Sequence, residues 1–86
     1  MYEIIIKKSA LKELRNIPKT LRLQIITKID ELASDLRPQG VKKLESSKND
    51  YRIRVGDFRI VYQIYDDRLI IDVIKVAHRR EVYKNK

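Results

Sequence analysis

Apolar positions along this chain fall into two rhythms. Tyr2 to Lys7 is short and β-branched and reads as a strand. The spacing then turns helical, with Ala10, Leu11, Leu14 and Ile17 on one side and Ser9 placed as the N-cap. Asn16-Ile17-Pro18 ends this helix, because proline disfavours helical geometry in the residue before it. Pro18 in turn suits the entry to a second helix. From Leu21 to Leu36 the residues Ile25, Ile29, Leu32 and Leu36 repeat at helical spacing, flanked by Ile26 and Ala33. Lys28, Asp30, Glu31 and Asp35 take the wetter sides. Arg37-Pro38-Gln39-Gly40 is a stop with turn chemistry.

The period then changes from 3.6 to 2. Tyr51-Arg52-Ile53-Arg54-Val55 alternates cleanly, and Gly56-Asp57 is a two-residue hairpin turn in which glycine supplies a positive φ. Phe58 to Tyr65 is the next strand, Asp66-Asp67 a second tight turn, and Leu69 to Val76 a third strand, apolar on both faces as a central strand is. Residues 79–86 form a basic tail. The order β-α-α-β-β-β predicts a two-layer α+β fold. Its helical hairpin buries its apolar stripe on one face of an antiparallel meander and leaves the other face open.

Composition bounds what this fold can do. Eighty-six residues allow one domain, spanning 1–86, and 43% hydrophobic residues can supply its core despite 37% charged ones. The absence of cysteine excludes disulfides, thiolate metal sites and a cysteine nucleophile. A single histidine, His78, gives too few nitrogen ligands for an ordinary zinc site. Two glycines exclude P-loops and dinucleotide-binding fingerprints. No apolar run approaches the ~18 residues of a membrane span, and the opening segment is too short and too early charged for a signal peptide. The expectation is a cofactor-free, metal-free, soluble cytoplasmic domain with no membrane partner.

Charge adds a direction. The net charge is +8, and residues 37–86 carry 13 of the 20 basic groups. Such a field favours a polyanion as partner, although a solubilising surface has the same sign. Position separates the two readings. A two-residue Gly56-Asp57 loop sets Arg54 opposite Arg59 and Arg52 opposite Val61, so Arg52, Arg54 and Arg59 project from one face. Directly opposed like charges cost stability, which a sheet tolerates for an anionic ligand or relieves by splaying the arginines into water. Asp72 falls on the same face by register and is the carboxylate that can pair with one of them. Lys42 and Lys43 lie just before the meander and Arg79 and Arg80 just after it, in reach of the same face. Arginine suits phosphate because its planar fork bonds two oxygens at once. Tyr51 and Tyr62 fall on the opposite face and read as core, whereas Tyr83 sits in the polar tail.

The run Tyr51-Arg52-Ile53-Arg54-Val55-Gly56-Asp57-Phe58-Arg59-Ile60-Val61-Tyr62, followed by Val76-Ala77-His78-Arg79-Arg80-Glu81-Val82-Tyr83, resembles the RelE branch of the RelE/ParE toxin superfamily. The resemblance spans nearly the whole chain and implies a microbial-ribonuclease-like fold. It also implies a toxin of a toxin–antitoxin pair that cleaves messenger RNA in the ribosomal A site. By position, Arg52 and Arg54 stand where the family has basic residues on the first meander strand. Arg59 matches the arginine that grips the scissile phosphate, and Arg79 the tail arginine that helps the leaving group. Tyr83 matches the C-terminal tyrosine that activates the nucleophile or orients the base. His78 falls where some members carry an acid–base group. The stretch between Arg79 and Tyr83 is shorter than in some relatives.

RNA cleavage without a metal is attack of a ribose 2′-hydroxyl on the adjacent phosphate. It needs a base, an acid and positive charge around the phosphorane. On these residues Arg59 and Arg54 clamp phosphate. Arg52, Lys42, Lys43 and Arg80 hold the backbone, Arg79 supports the leaving group, and Tyr83 or His78 is the base. Glu45 and Asp50 precede the meander as alternative carboxylate bases or as plain solvated groups. The partners implied are ribosome, message and an acidic RelB-like antitoxin. ParE-like members share the fold and poison DNA gyrase instead, and a plain RNA-binding module is a third class.

Overall fold

The computed structural model describes residues 1–38, 40–43 and 50–78. Strand β1 is Glu3–Ile6, helix α1 Lys8–Arg15 and helix α2 Lys19–Glu31. Strands β2 (Lys42–Lys43), β3 (Asp50–Val55), β4 (Phe58–Tyr65) and β5 (Ile70–His78) follow. They form one mixed sheet in the order β1-β5-β4-β3-β2. The helical hairpin covers one face, so the two-layer α+β architecture expected from the spacing is present. The sheet gains two features beyond the expected meander. β1 pairs parallel with β5 from Glu3↔Ile70 to Ile6↔Val73, and β2 adds a two-residue edge to β3.

The core lies between the layers. Ala10, Leu14, Ile17, Ile25, Ile29 and Leu32 meet Ile53, Ile60, Tyr62, Ile64, Ile71, Val73 and Val76 from the sheet. Each fully buried isoleucine here contributes about 1.5–3 kcal/mol. Tyr51 and Tyr62 are buried as expected, with their rings stacked 5.9 Å apart. The Tyr62 hydroxyl donates to the Leu36 carbonyl at 2.9 Å, and burial pushes its pKa up to about 12. Arg37 lies over the Tyr51 ring at 5.2 Å and donates through Nε to its hydroxyl at 3.3 Å. Arg37 also meets Asp66 at 3.5 Å, and Asp66 accepts a 2.6 Å bond from the Tyr2 hydroxyl. This network fastens the segment after α2 to the sheet.

Several local expectations change. Ser9 lies inside the first turn of α1, because helical geometry begins at Lys8 and the extended Lys7 is the N-cap, without a side-chain bond. Helix α2 stops at Glu31, short of Leu36. Its apolar periodicity continues because Leu32 and Leu36 still pack on the core from a turn, where the Leu36 carbonyl serves Tyr62. The Gly56-Asp57 hairpin has the expected register. Only Gly56 is positive in φ, at 59°, which is the pattern of a II′ turn. The second connection is wider than two residues. Tyr65 pairs with Ile70, so Asp66 to Leu69 form the loop and Leu69 takes φ 55°.

The largest departure is in β5. Val61 pairs with Lys75 and Tyr62 with Val73, so Ile74 is an extra residue opposite no partner. A bulge of this kind reverses the in–out alternation beyond it. Residues after Ile74 therefore face opposite sides from those that an unbroken alternation assigns.

Candidate functional site

The open face can be read row by row. Arg54, Arg59 and Ala77 are successive partners across β3, β4 and β5. One step along, Lys42, Arg52, Val61 and Lys75 are partners across β2 to β5. Arg52, Arg54 and Arg59 thus share one face, as the hairpin register requires. With Gly40 and Lys42 they line a cavity of about 310 Å³. Among the described residues, four cationic side chains and no carboxylate line it. Arg59 is its floor at 7% exposure, while Arg54 is exposed at the rim.

Local structure explains why the cup forms. Arg54 and Arg59 are held opposite by the tightest hairpin of the chain. Gly40 takes φ 89°, a conformation that strains a side-chain-bearing residue, and it lies on the segment that brings Lys42 to the rim. That segment is fixed from beneath by Tyr62 on the Leu36 carbonyl and by Arg37 on Tyr51.

The other expected residues divide. Lys42 is on the arginine face, but Lys43 pairs with Tyr51, a core residue, and so belongs to the opposite side of its two-residue strand. Asp72 is on the open face but pairs with Lys7, Nζ to Oδ2 at 3.1 Å, rather than with an arginine. β1 ends beside β5 and delivers that lysine, a neighbour that local spacing does not reveal. His78 pairs with Phe58, and their rings meet edge to face at 5.3 Å. The bulge turns it toward the helix side. There it lines a second cavity, of about 430 Å³, with Glu13, Asn16, Ile17, Phe58 and Val76. Glu13 Oε1 accepts the Val76 N–H at 3.0 Å in that cavity, satisfying β5 beyond the end of β1.

Asp50 begins β3 and accepts from Gln63 Nε2 at 2.7 Å, so it is engaged on the sheet rather than simply solvated. Arg79, Arg80, Tyr83 and Glu45 lie outside the described residues. Lys75 was missed by sequence reasoning because the bulge alone brings it to the arginine face. Among the described residues no three histidine, cysteine, aspartate or glutamate side chains gather as a metal ion requires, and no helix is long and apolar enough to cross a membrane.

These features define a small two-layer α+β domain with a cationic cup on the sheet face opposite its helices. A family model described as the ParE toxin of type II toxin–antitoxin system, parDE, matches residues 4–83. The putative toxin RelE1 of Methanocaldococcus jannaschii is 33% identical over 88 residues, covering 98% of this chain and 97% of that protein. The mRNA interferase toxin RelE of Escherichia coli is 35% identical over 78 residues, covering 86% of this chain and 81% of that one. The crystal structure of the archaeal RelE–RelB complex from Pyrococcus horikoshii matches with a TM-score of 0.82 at 29% identity. It covers 91% of this chain and 94% of the matched chain. The chain belongs to the RelE/ParE superfamily of type II toxins, and its named relatives are RelE-type.

Proposed function

We propose that this protein, as one toxin domain over 1–86, is an endoribonuclease that cuts messenger RNA in the ribosomal A site and so halts translation. One observation carries the reading. Lys42, Arg52, Arg54 and Arg59 meet around a single cavity on the sheet face opposite the helices, with no carboxylate among its described lining residues. A phosphodiester passing from ground state to phosphorane gains negative charge, and preorganised donors that meet that charge are usually the largest catalytic contribution. Arg59, rigid on the cup floor, and Arg54 at the rim bind the scissile phosphate. Arg52, Lys42 and Lys75 hold the flanking backbone. The 2′-hydroxyl attacks phosphorus, the bond to the 5′ oxygen breaks, and a 2′,3′-cyclic phosphate remains. Arg79 supports the departing oxygen.

The base is Tyr83 or His78. The setting of His78 against Phe58, on the side away from the arginines, favours Tyr83 for the proton and leaves His78 a structural part. Arginines near a phenol favour its ionised form, which offsets the poor basicity of an unperturbed tyrosine with a pKa of ~10. No step in this scheme uses a metal. Relatives named mRNA interferase, and matched structures that are RelE–RelB complexes, support both the reaction and a RelB-like acidic antitoxin as partner. A cationic cup on an open face is a surface that such a partner can neutralise.

The test is cleavage of ribosome-bound message. Arg54→Ala and Arg59→Ala are each expected to slow it by ~10²–10³, and Tyr83→Phe by ~10²–10⁴. Binding of single-stranded RNA is expected to weaken with salt at a log–log slope of about −2.8, from ~0.7 for each of four phosphate contacts. Wild-type rates in all three variants refute the assignment. Inhibition of gyrase supercoiling without RNA cleavage moves the protein to the ParE-like reading.

A further inference from the structure

A second row runs beside the cationic one. Asp50, Gln63, Asp72 and Ile5 are partners across β3, β4, β5 and β1, two residues along β3 and β4 from the Arg52 row and three along β5, where the bulge adds one. The two-residue step is about 6.7 Å. The side chains here are polar but not basic, and they are organised. The Tyr65 hydroxyl donates to Gln63 Oε1 at 2.6 Å, and Gln63 Nε2 donates to Asp50 Oδ1 at 2.7 Å. Arg68 lies over the Tyr65 ring at 5.5 Å. Gripped at both ends, the Gln63 amide has a fixed orientation. Among the described residues, its second N–H and second lone pair meet no partner, and neither does the second oxygen of Asp50.

These groups are half-buried and take no part in the core. They sit one row from the cup that the proposed function assigns to phosphate, and the present inference rests on that reading. A ribonucleotide held by its phosphate over the arginines projects its base to one side. On this face one such side is the Asp50–Gln63–Tyr65 array. We propose that this array is a nucleobase subsite for single-stranded RNA, taking the base next to the clamped phosphate and favouring adenine, cytosine or guanine over uracil. Carboxylate and amide oxygens accept hydrogen bonds from exocyclic amino groups, as aspartate does from cytosine N4 and glutamine from adenine N6. Uracil has no amino group. Its O4 offers the Asp50 carboxylate no donor and can meet only the remaining Gln63 N–H.

The experiment measures binding of purified protein to labelled hexacytidylate and hexauridylate by fluorescence anisotropy, for the wild type, Asp50→Asn and Gln63→Leu. The wild type is expected to bind the cytidine oligomer about tenfold more tightly, as a specific base contact does. Both substitutions are expected to bring that ratio to within about twofold, with the salt slope unchanged because the phosphate contacts remain. Mapping of message 5′ ends forms a second arm. Uracil is expected to be depleted at one position beside the cut in the wild type and restored there in both variants. Equal wild-type affinity for the two oligomers, or a base profile unchanged by both substitutions, overturns the subsite. Base-dependent binding without any cleavage overturns the nuclease reading and leaves the subsite standing, and cleavage with a flat profile does the reverse.

Discussion

Arg54 and Arg59 face each other directly across β3 and β4, and this pair makes a testable statement about stability as well as function. Two unit charges ~7 Å apart repel by ~0.6 kcal/mol in bulk water and by ~2.4 kcal/mol at an effective dielectric constant of ~20. Arg59 is buried and Arg54 exposed, so the pair sits between these limits. Splaying of the exposed chain brings the cost toward the ~0.2–1 kcal/mol typical of cross-strand pairs. Replacing Arg54 with threonine removes the repulsion and keeps a β-branched residue on the strand. In a domain of this size ~1 kcal/mol moves the melting midpoint by ~4–8 °C. Arg54→Thr is therefore expected to raise the midpoint of the RNA-free protein by about 2–6 °C at low ionic strength. At ~1 M salt, where the screening length is ~3 Å, the gain is expected to shrink toward zero. The same substitution is expected to impair RNA cleavage, so stability and activity move in opposite directions. Circular-dichroism melts at the two ionic strengths make the measurement. A lower midpoint at low salt, or a gain indifferent to salt, refutes the view that this pair is held together against its own charge.

Two further outcomes concern the scaffold. Burial raises the Tyr62 pKa to about 12, whereas the unfolded chain ionises this phenol near ~10. Its contribution is thus complete below pH ~10 and is lost as pH rises toward 12, on the order of 2 kcal/mol in all. Urea unfolding between pH 9 and pH 11.5 is expected to show this fall, and Tyr62→Phe is expected to remove most of it, at a pH-independent cost of ~1 kcal/mol for the released Leu36 carbonyl. An undiminished alkaline slope in the variant contradicts the assignment. Leu69 holds φ 55° while 53% exposed, so its side chain offers little burial against a backbone cost of ~1–2 kcal/mol. Leu69→Asn, a residue at ease in that conformation, is expected to stabilise the protein by ~0.5 kcal/mol in the same assay, and a loss of stability refutes the strain.

What the chain discloses to a reader depends on how local the cause is. The Gly56-Asp57 turn fixes its own hairpin, so the opposition of Arg54 and Arg59 was legible from a dozen residues. Tyr51 and Tyr62 were legible as core by the same alternation. The bulge at Ile74 was not, because β5 is apolar on both faces and one inserted residue leaves that pattern unchanged. Everything downstream of it changed side, which carried His78 toward the helices and Lys75 toward the arginines. The partner of Asp72 was hidden for a different reason. Lys7 reaches it only because β1 lies parallel to β5, a pairing between the two ends of the sequence. Lys43 left the arginine face through the register of a strand too short to leave a periodic mark. The Gln63 contacts with Asp50 and Tyr65 are equally silent, since polar residues on an open strand face look alike until their neighbours are known.

The pairing of β1 with β5 also orders events in time. Helices α1 and α2 are contiguous and can form as soon as they are made, but the first strand must wait for the last before it has anything to bond. Contacts so distant along a chain close slowly. Until they close, β5 lacks its parallel partner, although the β3–β4 hairpin that opposes Arg54 and Arg59 can already form. During synthesis, therefore, the helical layer and the β3–β4 hairpin can exist before the β1 edge of the sheet is in place.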